Sequence, residues 1–404
     1  MTQELVIVGA GQAAFSTASK LRSLKDNRPI TILGVEAEAP YQRPPLSKKY
    51  LLGEMSFDRL LLRPEQWYSD NDVTLRLCTW VEEIDRTAKQ VVLQDGSRLA
   101  YDKLVLATGA TPRQLPKDIG GNLSGVFTVR NKDDADRLSL EMKPGRRLLI
   151  VGGGYIGLEA AAVARHLGLE VTVIEMAERI LARVAAKETA DFIRSAHVGH
   201  GVAIREGTGL RHLIGHEGRV CAAELSDGSQ LNVDMVIVGI GVTPNDGLAA
   251  RAGLPVRNGI VVDSFARTSD PDIFAVGDCA RQPWDGGEIL LESVQNAVDQ
   301  GDAVAAVLAG ANQPYQPRPW FWSDQYDLKL QIAGLNLGYD ETVVRPGIRD
   351  GSMSVWYYRQ GQFIAVDAIN DARAYVTGKK LLDMGRTPDQ TVVRDAQSDL
   401  KQLL

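Results

Sequence analysis

The stretch "VGGGYIGLEAAA" (Val151–Ala162) decides how this chain folds. Gly152, Gly154 and Gly157 stand at G-x-G-x-x-G spacing, with Tyr155 and Ile156 between the last two. The first glycine permits a tight turn, and the second lets the backbone approach a pyrophosphate. The third keeps the helix close to its strand. The helix that follows turns unpaired N–H groups toward the phosphates. The next β-branched strand ends in Glu175, a carboxylate suited to ribose hydroxyls. The pattern also occurs earlier. "VIVGAGQAA" (Val6–Ala14) puts Gly9, Gly11 and Ala14 in the three positions, and Glu36 ends the following strand. One such turn is weak evidence, because glycine turns also occur in nucleotide-free α/β units. Two, each with its strand, helix and terminal acid, make an internal repeat and predict two dinucleotide-binding units.

Composition bounds the rest. Apolar residues make up 44% and charged residues 24%, as in ordinary globular domains. A net charge of −6 without long single-sign runs argues against nucleic acid as a partner. Cys78, Cys221 and Cys279 are far apart, so neither a disulfide framework nor a bound metal is expected. With no signal peptide or membrane-spanning run legible, the expected location is the cytoplasm.

Further segments complete the layout. "YDKLVLATGATPR" (Tyr101–Arg113) is a buried strand ending in the turn Ala107-Thr108-Gly109. "SDPDIFAVGDCA" (Ser269–Ala280) is another, ending at Gly277-Asp278. "VDMVIVGIGVTPND" (Val233–Asp246), with Gly241, echoes the first inside the second unit. These segments resemble the fingerprints of flavoproteins with two dinucleotide-binding domains. That resemblance implies FAD on the first unit and a visiting NADH on the second, at Gly152, Gly154, Tyr155, Ile156, Gly157, Glu159, Glu175 and Gly241. The expected architecture is α/β, with two Rossmann-like domains and a small α+β C-terminal domain. FAD would be bound by residues 1–112 and 247–319, NAD by 113–246, and residues 320–404 would form a cap. Within the cap, "SMSVWYYRQGQFIAVDAIN" reads as a hairpin joined by Arg359-Gln360-Gly361-Gln362, followed by a helix.

The resemblance sharpens at "PYQRPPLSKKYL" (Pro40–Leu51), "RLLLRPEQWY" (Arg59–Tyr68) and "PWFWSDQYDLKLQIAG" (Pro319–Gly334). Nearly end to end, the chain is similar to the NADH-dependent ferredoxin reductases that serve bacterial oxygenases. Where disulfide reductases of this fold carry a cysteine pair beside the flavin, this chain has "RPPLSKKYLLG". The family then implies electron transfer from NADH through FAD to a [2Fe–2S] ferredoxin. Neighbouring alternatives are a rubredoxin reductase, a monodehydroascorbate-type reductase, and a flavin-bearing switch of the apoptosis-inducing-factor type.

The resemblance also assigns roles to single residues. Lys48, paired with Glu159, would lie at the flavin edge and position the nicotinamide; on its own, such a lysine is usually a solvated one. Arg43, Pro44 and Arg113 would contact FAD. Asp278 would bind the ribityl chain, its plain alternative being a helix N-cap. Val294 and Gln295, opening a helix over Glu292–Gly310, would face the flavin with the helix dipole. Trp322 would pack beside the flavin or in the core. Arg63, Lys379 and Lys380 would form a basic docking patch for an acidic ferredoxin, or be ordinary surface charges.

Overall fold

In a computed structural model of the chain, residues 4–404 are described, so the first three residues of the expected FAD domain lie outside them. The chain divides into two units. The first comprises residues up to Arg43, Ser56–Thr111 and Val242–Pro317; the second comprises Pro44–Met55, Pro112–Gly241 and Arg318–Leu404.

The core of the first unit is a five-stranded parallel sheet. Its order is Ile273–Ala275, Lys103–Leu106, Leu5–Val8, Ile30–Leu33 and Val73–Arg76. Strands of a covered parallel sheet are apolar on both faces, and the four residues of Leu5–Val8 are all buried. The helix Gln12–Ser23 follows the first glycine turn and packs on the helix Val294–Leu308. Their backbones come so close that a Cβ on Gly301 would lie 2.8 Å from the Ala13 carbonyl oxygen. The second helix is shorter than expected, because Ser293 caps it by accepting from the Asn296 N–H at 3.1 Å.

The second unit repeats the plan. Its parallel sheet runs in the order Ala203–Arg205, Glu170–Ile174, Arg147–Val151, Met235–Val238 and Val126–Phe127. The helix Tyr155–His166 follows the second glycine turn and buries Ala160, Ala161, Val163 and Ala164. The C-terminal segment adds a five-stranded antiparallel sheet, ordered Trp320–Gln325, Leu328–Gly334, Gln362–Ile369, Met353–Arg359 and Glu341–Pro346. Its hairpin turn is tighter than the expected four residues. Strands run as far as Arg359 and Gln362, leaving Gln360 and Gly361 with φ of 50° and 74°. Positive φ at both positions marks the primed turn whose twist matches the flanking strands.

A short insert completes the second unit. Pro44–Ser47 forms a 3₁₀ turn. Leu51 then packs with Leu138, Ala160 and Ala161, and the Tyr50 hydroxyl donates to Asp136 at 2.6 Å. Twelve residues from the early part of the chain are thereby anchored to the second unit.

Candidate functional site

Each glycine turn has one crowded side and one open side. Gly9 has φ +113°, and a Cβ there would lie 2.1 Å from the Ala107 carbonyl oxygen. Gly152 matches it, with φ +109° and the Gly239 carbonyl 2.4 Å away. Gly157 is glycine for the packing reason, since its Cβ would meet the Gly152 carbonyl at 2.3 Å. Ala14, the corresponding residue of the first unit, is accommodated with no exposed surface. Gly11 and Gly154 differ from all of these: a Cβ at either meets nothing within 4 Å. They are also the N-caps of their helices and make no side-chain cap bond. Bare helix N-termini beside open, side-chain-free backbone are what a dinucleotide pyrophosphate requires, so both turns fit the group expected there.

Around the first turn, Ala107-Thr108-Gly109 is clamped by Asn245. The Thr108 hydroxyl donates to the Asn245 carbonyl at 2.7 Å, and the Asn245 amide returns a bond to the Thr108 carbonyl at 2.8 Å. Glu36 accepts from Arg43 and from the Tyr41 hydroxyl, both at 2.5 Å. Burial opposes the Arg43 charge, but Tyr41, Glu36 and Asp278 outweigh it and raise its pKa. Arg43 thus lies within electrostatic reach of both Glu36 and Asp278. Gly277, with φ +75°, donates its N–H to the buried Gln300 side chain at 2.8 Å, which fixes the turn carrying Asp278. Val294 and Gln295 open their helix half-buried, and the Gln295 amide bonds Asp299 at 2.5 Å.

At the second turn, Glu175 holds the loop itself. Its two oxygens accept the Gly153 and Ala177 N–H groups, each at 2.8 Å. Tyr155 is half-buried against Phe321, whereas Ile156 is 49% exposed. Arg113 donates its backbone N–H to the Gly241 carbonyl at 3.0 Å, which joins two expected site residues through the main chain. Exposed Arg183 brings its guanidinium to within 3.9 Å of a Cβ built on Gly241, a cation that no motif announced.

Lys48 reaches Glu159 from the insert, at 2.6 Å. It also donates to the Pro44 carbonyl at 3.3 Å. Glu159 is 4% exposed. Burial pushes its carboxyl above the usual carboxylate range, while Lys48, Ser323 and Ser47 pull it back. Ser47 donates to the same oxygen as Lys48 at 3.2 Å, and Ser323 donates to the other at 2.7 Å. Ser323 belongs to the strand Trp320–Gln325, whose alternation sends Ser323 and Gln325 inward and leaves Trp320 and Trp322 on the opposite face. Trp322 is half-buried, with its ring 5.5 Å from that of Trp320. The Lys379 ammonium lies 5.3 Å over the Trp320 ring, so it is engaged, whereas Lys380 is exposed. In the first unit, exposed Arg63 lies 5.8 Å over Phe15. Ser47 and Ser323 lie inside segments that carry the resemblance, but nothing local marks them as partners of Glu159.

The pyridine nucleotide-disulphide oxidoreductase family matches residues 3–301, and a reductase C-terminal family matches 320–404. Rhodocoxin reductase of Rhodococcus erythropolis is 44% identical over 401 residues, covering 98% of this chain and 93% of its own. Rubredoxin-NAD(+) reductase of Pseudomonas putida is 39% identical, covering 91% of this chain and 95% of its own. Among solved structures, the ferredoxin reductase for the CYP199A2 system of Rhodopseudomonas palustris superposes with a TM-score of 0.96 at 40% identity, covering 99% of both chains. The repeated glycine turn and a match across three quarters of the sequence lead to one assignment: the chain belongs to the pyridine nucleotide-disulphide oxidoreductase family.

Proposed function

We propose that the chain is an NADH-dependent flavoprotein reductase that delivers electrons to a [2Fe–2S] ferredoxin feeding an oxygenase, a cytochrome P450 or a ring-hydroxylating dioxygenase. The observation that carries this reading is a pair of open glycine turns in a chain whose three cysteines are all unpaired. Two dinucleotides can be held, yet no dithiol is available to take the electrons, so they leave to an external acceptor. The names of the relatives point the same way. Bound FAD supplies the conversion between the paired electrons of a hydride and the single electrons an iron–sulfur cluster accepts.

The residues take the following parts. Gly9, Gly11 and the Gln12–Ser23 helix hold the FAD pyrophosphate, with Glu36, Arg43 and Asp278 beside it. Gly152, Gly154 and the Tyr155–His166 helix hold NADH. Glu175 presents negative charge where a 2′-phosphate would sit. The Lys48–Glu159 pair sets the charge and orientation at the flavin edge. Arg63 and Lys380 are the exposed cations proposed for docking. Lys379, engaged over Trp320, is a weaker one. Three free cysteines suit a reducing cytoplasm, where we place the reaction.

The test is to add NADH and candidate [2Fe–2S] ferredoxins to the flavin-loaded protein and follow cytochrome c reduction. Turnover that is slow without ferredoxin and fast with it supports the reading. Rubredoxin accelerating turnover while every ferredoxin fails replaces it with the rubredoxin alternative, which the Pseudomonas putida relative favours. NADH oxidation indifferent to any protein acceptor overturns both.

A further inference from the structure

Behind Glu159 runs a chain of side chains that the proposed reaction does not use directly. The Ser323 hydroxyl is 2.7 Å from Glu159 Oε1, and Gln325 Nε2 is 3.0 Å from Ser323 Oγ. Gln325 Oε1 is 2.7 Å from His197 Nε2, and the Tyr326 hydroxyl is 3.2 Å from His197 Nδ1. Ser323, Gln325 and His197 are 1%, 2% and 0% exposed, while Tyr326 is half-buried and stacks at 3.7 Å on exposed His200.

The donor directions follow by elimination. Glu159 is ion-paired with Lys48, so it only accepts. Ser323 has one hydrogen and must give it to Glu159. Gln325 must therefore donate to Ser323, which turns its NH₂ inward and its carbonyl toward His197. A carbonyl cannot donate, so His197 carries its hydrogen on Nε2. Its Nδ1 is left bare to accept from Tyr326. Every hydrogen in the chain points toward one carboxylate.

We infer that Ser323, Gln325 and His197 are positioning residues that act through Glu159, holding it ionised and turned toward Lys48. An amide in the middle makes the chain a poor proton conductor. It works instead as a row of aligned dipoles in a buried setting, where such bonds reinforce one another. Burial lowers the pKa of His197 against the opposing pull of its Gln325 bond, which favours the neutral imidazole that the alignment requires.

This inference rests on the reading that Lys48 and Glu159 serve the flavin edge, and the test separates the two. Histidine-selective ¹⁵N spectra of the FAD-loaded protein, with His197 assigned from the spectrum of His197→Gln, report the tautomer directly. Nε2–H with bare Nδ1 is expected above neutral pH, where a lowered His197 pKa leaves the ring uncharged. Ser323→Ala removes the donor to Glu159 and the acceptor for Gln325, so the His197 signals should move toward the other tautomer. It should also raise the acid limb of NADH-driven flavin reduction by about one pH unit, a tenfold slowing below that limb, as expected for losing one bond to a charged group. Ser323→Thr keeps the hydroxyl and should restore both.

The other ionisable groups near the chain are Lys48, Tyr155, Arg165 and His200, with Asp367 beyond Tyr155. All are unchanged by Ser323→Ala, so the comparison isolates Glu159. A wild-type Nδ1–H tautomer overturns the inference without any variant. So does Ser323→Ala leaving tautomer and acid limb both unmoved. A tautomer shift in Ser323→Ala, with flavin reduction unaltered there and in Lys48→Ala, supports the chain and removes Lys48 from the flavin edge.

Discussion

At the scale of single residues, the glycines of one turn carry different burdens. A methyl at Gly9 collides with the Ala107 carbonyl and is held at a φ that L-residues avoid. Gly9→Ala should therefore destabilise the protein even without flavin, by at least the roughly 1–3 kcal/mol such backbone strain costs. A methyl at Gly11 meets nothing, so Gly11→Ala should leave the melting temperature of the apoprotein unchanged and weaken only FAD binding. Apoprotein melts together with flavin titrations check the pair, and equal melting temperatures would refute the distinction. Glu175 has one observed duty and one proposed. Its oxygens brace the turn through Gly153 and Ala177, and in the proposed function its charge is set against the ribose of NADH. Glu175→Gln can keep only part of that bracing and removes the charge. The ratio of kcat/KM for NADH over NADPH should fall by about tenfold, the worth of one charged contact on the order of 1.4 kcal/mol. An unchanged ratio would leave Glu175 with the bracing alone.

At the scale of elements, the C-terminal sheet is tied to the helix Lys187–Gly199 through one buried carboxyl. Asp367 accepts from the Thr189 hydroxyl at 2.8 Å and from the Tyr357 hydroxyl, which itself receives the Ala186 N–H at 2.9 Å. Its other oxygen is buried without a hydrogen-bond partner among the described residues. Burial pushes the carboxyl from 3.8 up to about 6, against the pull of Tyr357 and Thr189. A carboxyl with a raised folded-state pKa weakens the fold when ionised. The penalty is absent below about pH 4, grows as pH rises through 6, and reaches on the order of 3 kcal/mol. Asp367→Asn keeps an acceptor but does not titrate. Its stability advantage over the native protein should be larger at pH 8 than at pH 4.5 by about 2 kcal/mol in denaturant melts. Parallel profiles would show that Asp367 titrates normally.

At the scale of the whole molecule, charge sets the terms of partner encounter. A chain of net charge −6 repels an acidic ferredoxin overall, so local cations must supply the attraction. Arg63→Glu or Lys380→Glu should lower kcat/KM for ferredoxin severalfold and flatten its salt dependence, leaving ferricyanide reduction near the native rate. A parallel fall in both activities would assign these residues to folding or flavin chemistry. The C-terminal sheet itself shows how sequence patterns reach their limit. Its hairpin was legible because Gln360-Gly361 is a local signal. The strands Trp320–Gln325, Leu328–Gly334 and Glu341–Pro346 drew no strand assignment, because flanking aromatic and charged residues blur their alternation.

What the sequence by itself determined was the α/β class and the pair of nucleotide turns. Those depend on steric rules that act within a few residues, as at Gly9, Gly152 and Gly157. The resemblance supplied the partnership of Lys48 with Glu159, 111 positions apart, and the structure supplies its contact. Only the tertiary structure decided what surrounds that pair. Ser323 meets Glu159 across 164 positions and His197 meets Gln325 across 128. Serine, glutamine and histidine are common on surfaces, and no local pattern separates a solvated one from one buried beside a carboxylate. The difference lies in the water that packing removes: a buried polar group must find a partner, and the fold, not the neighbouring residues, chooses which.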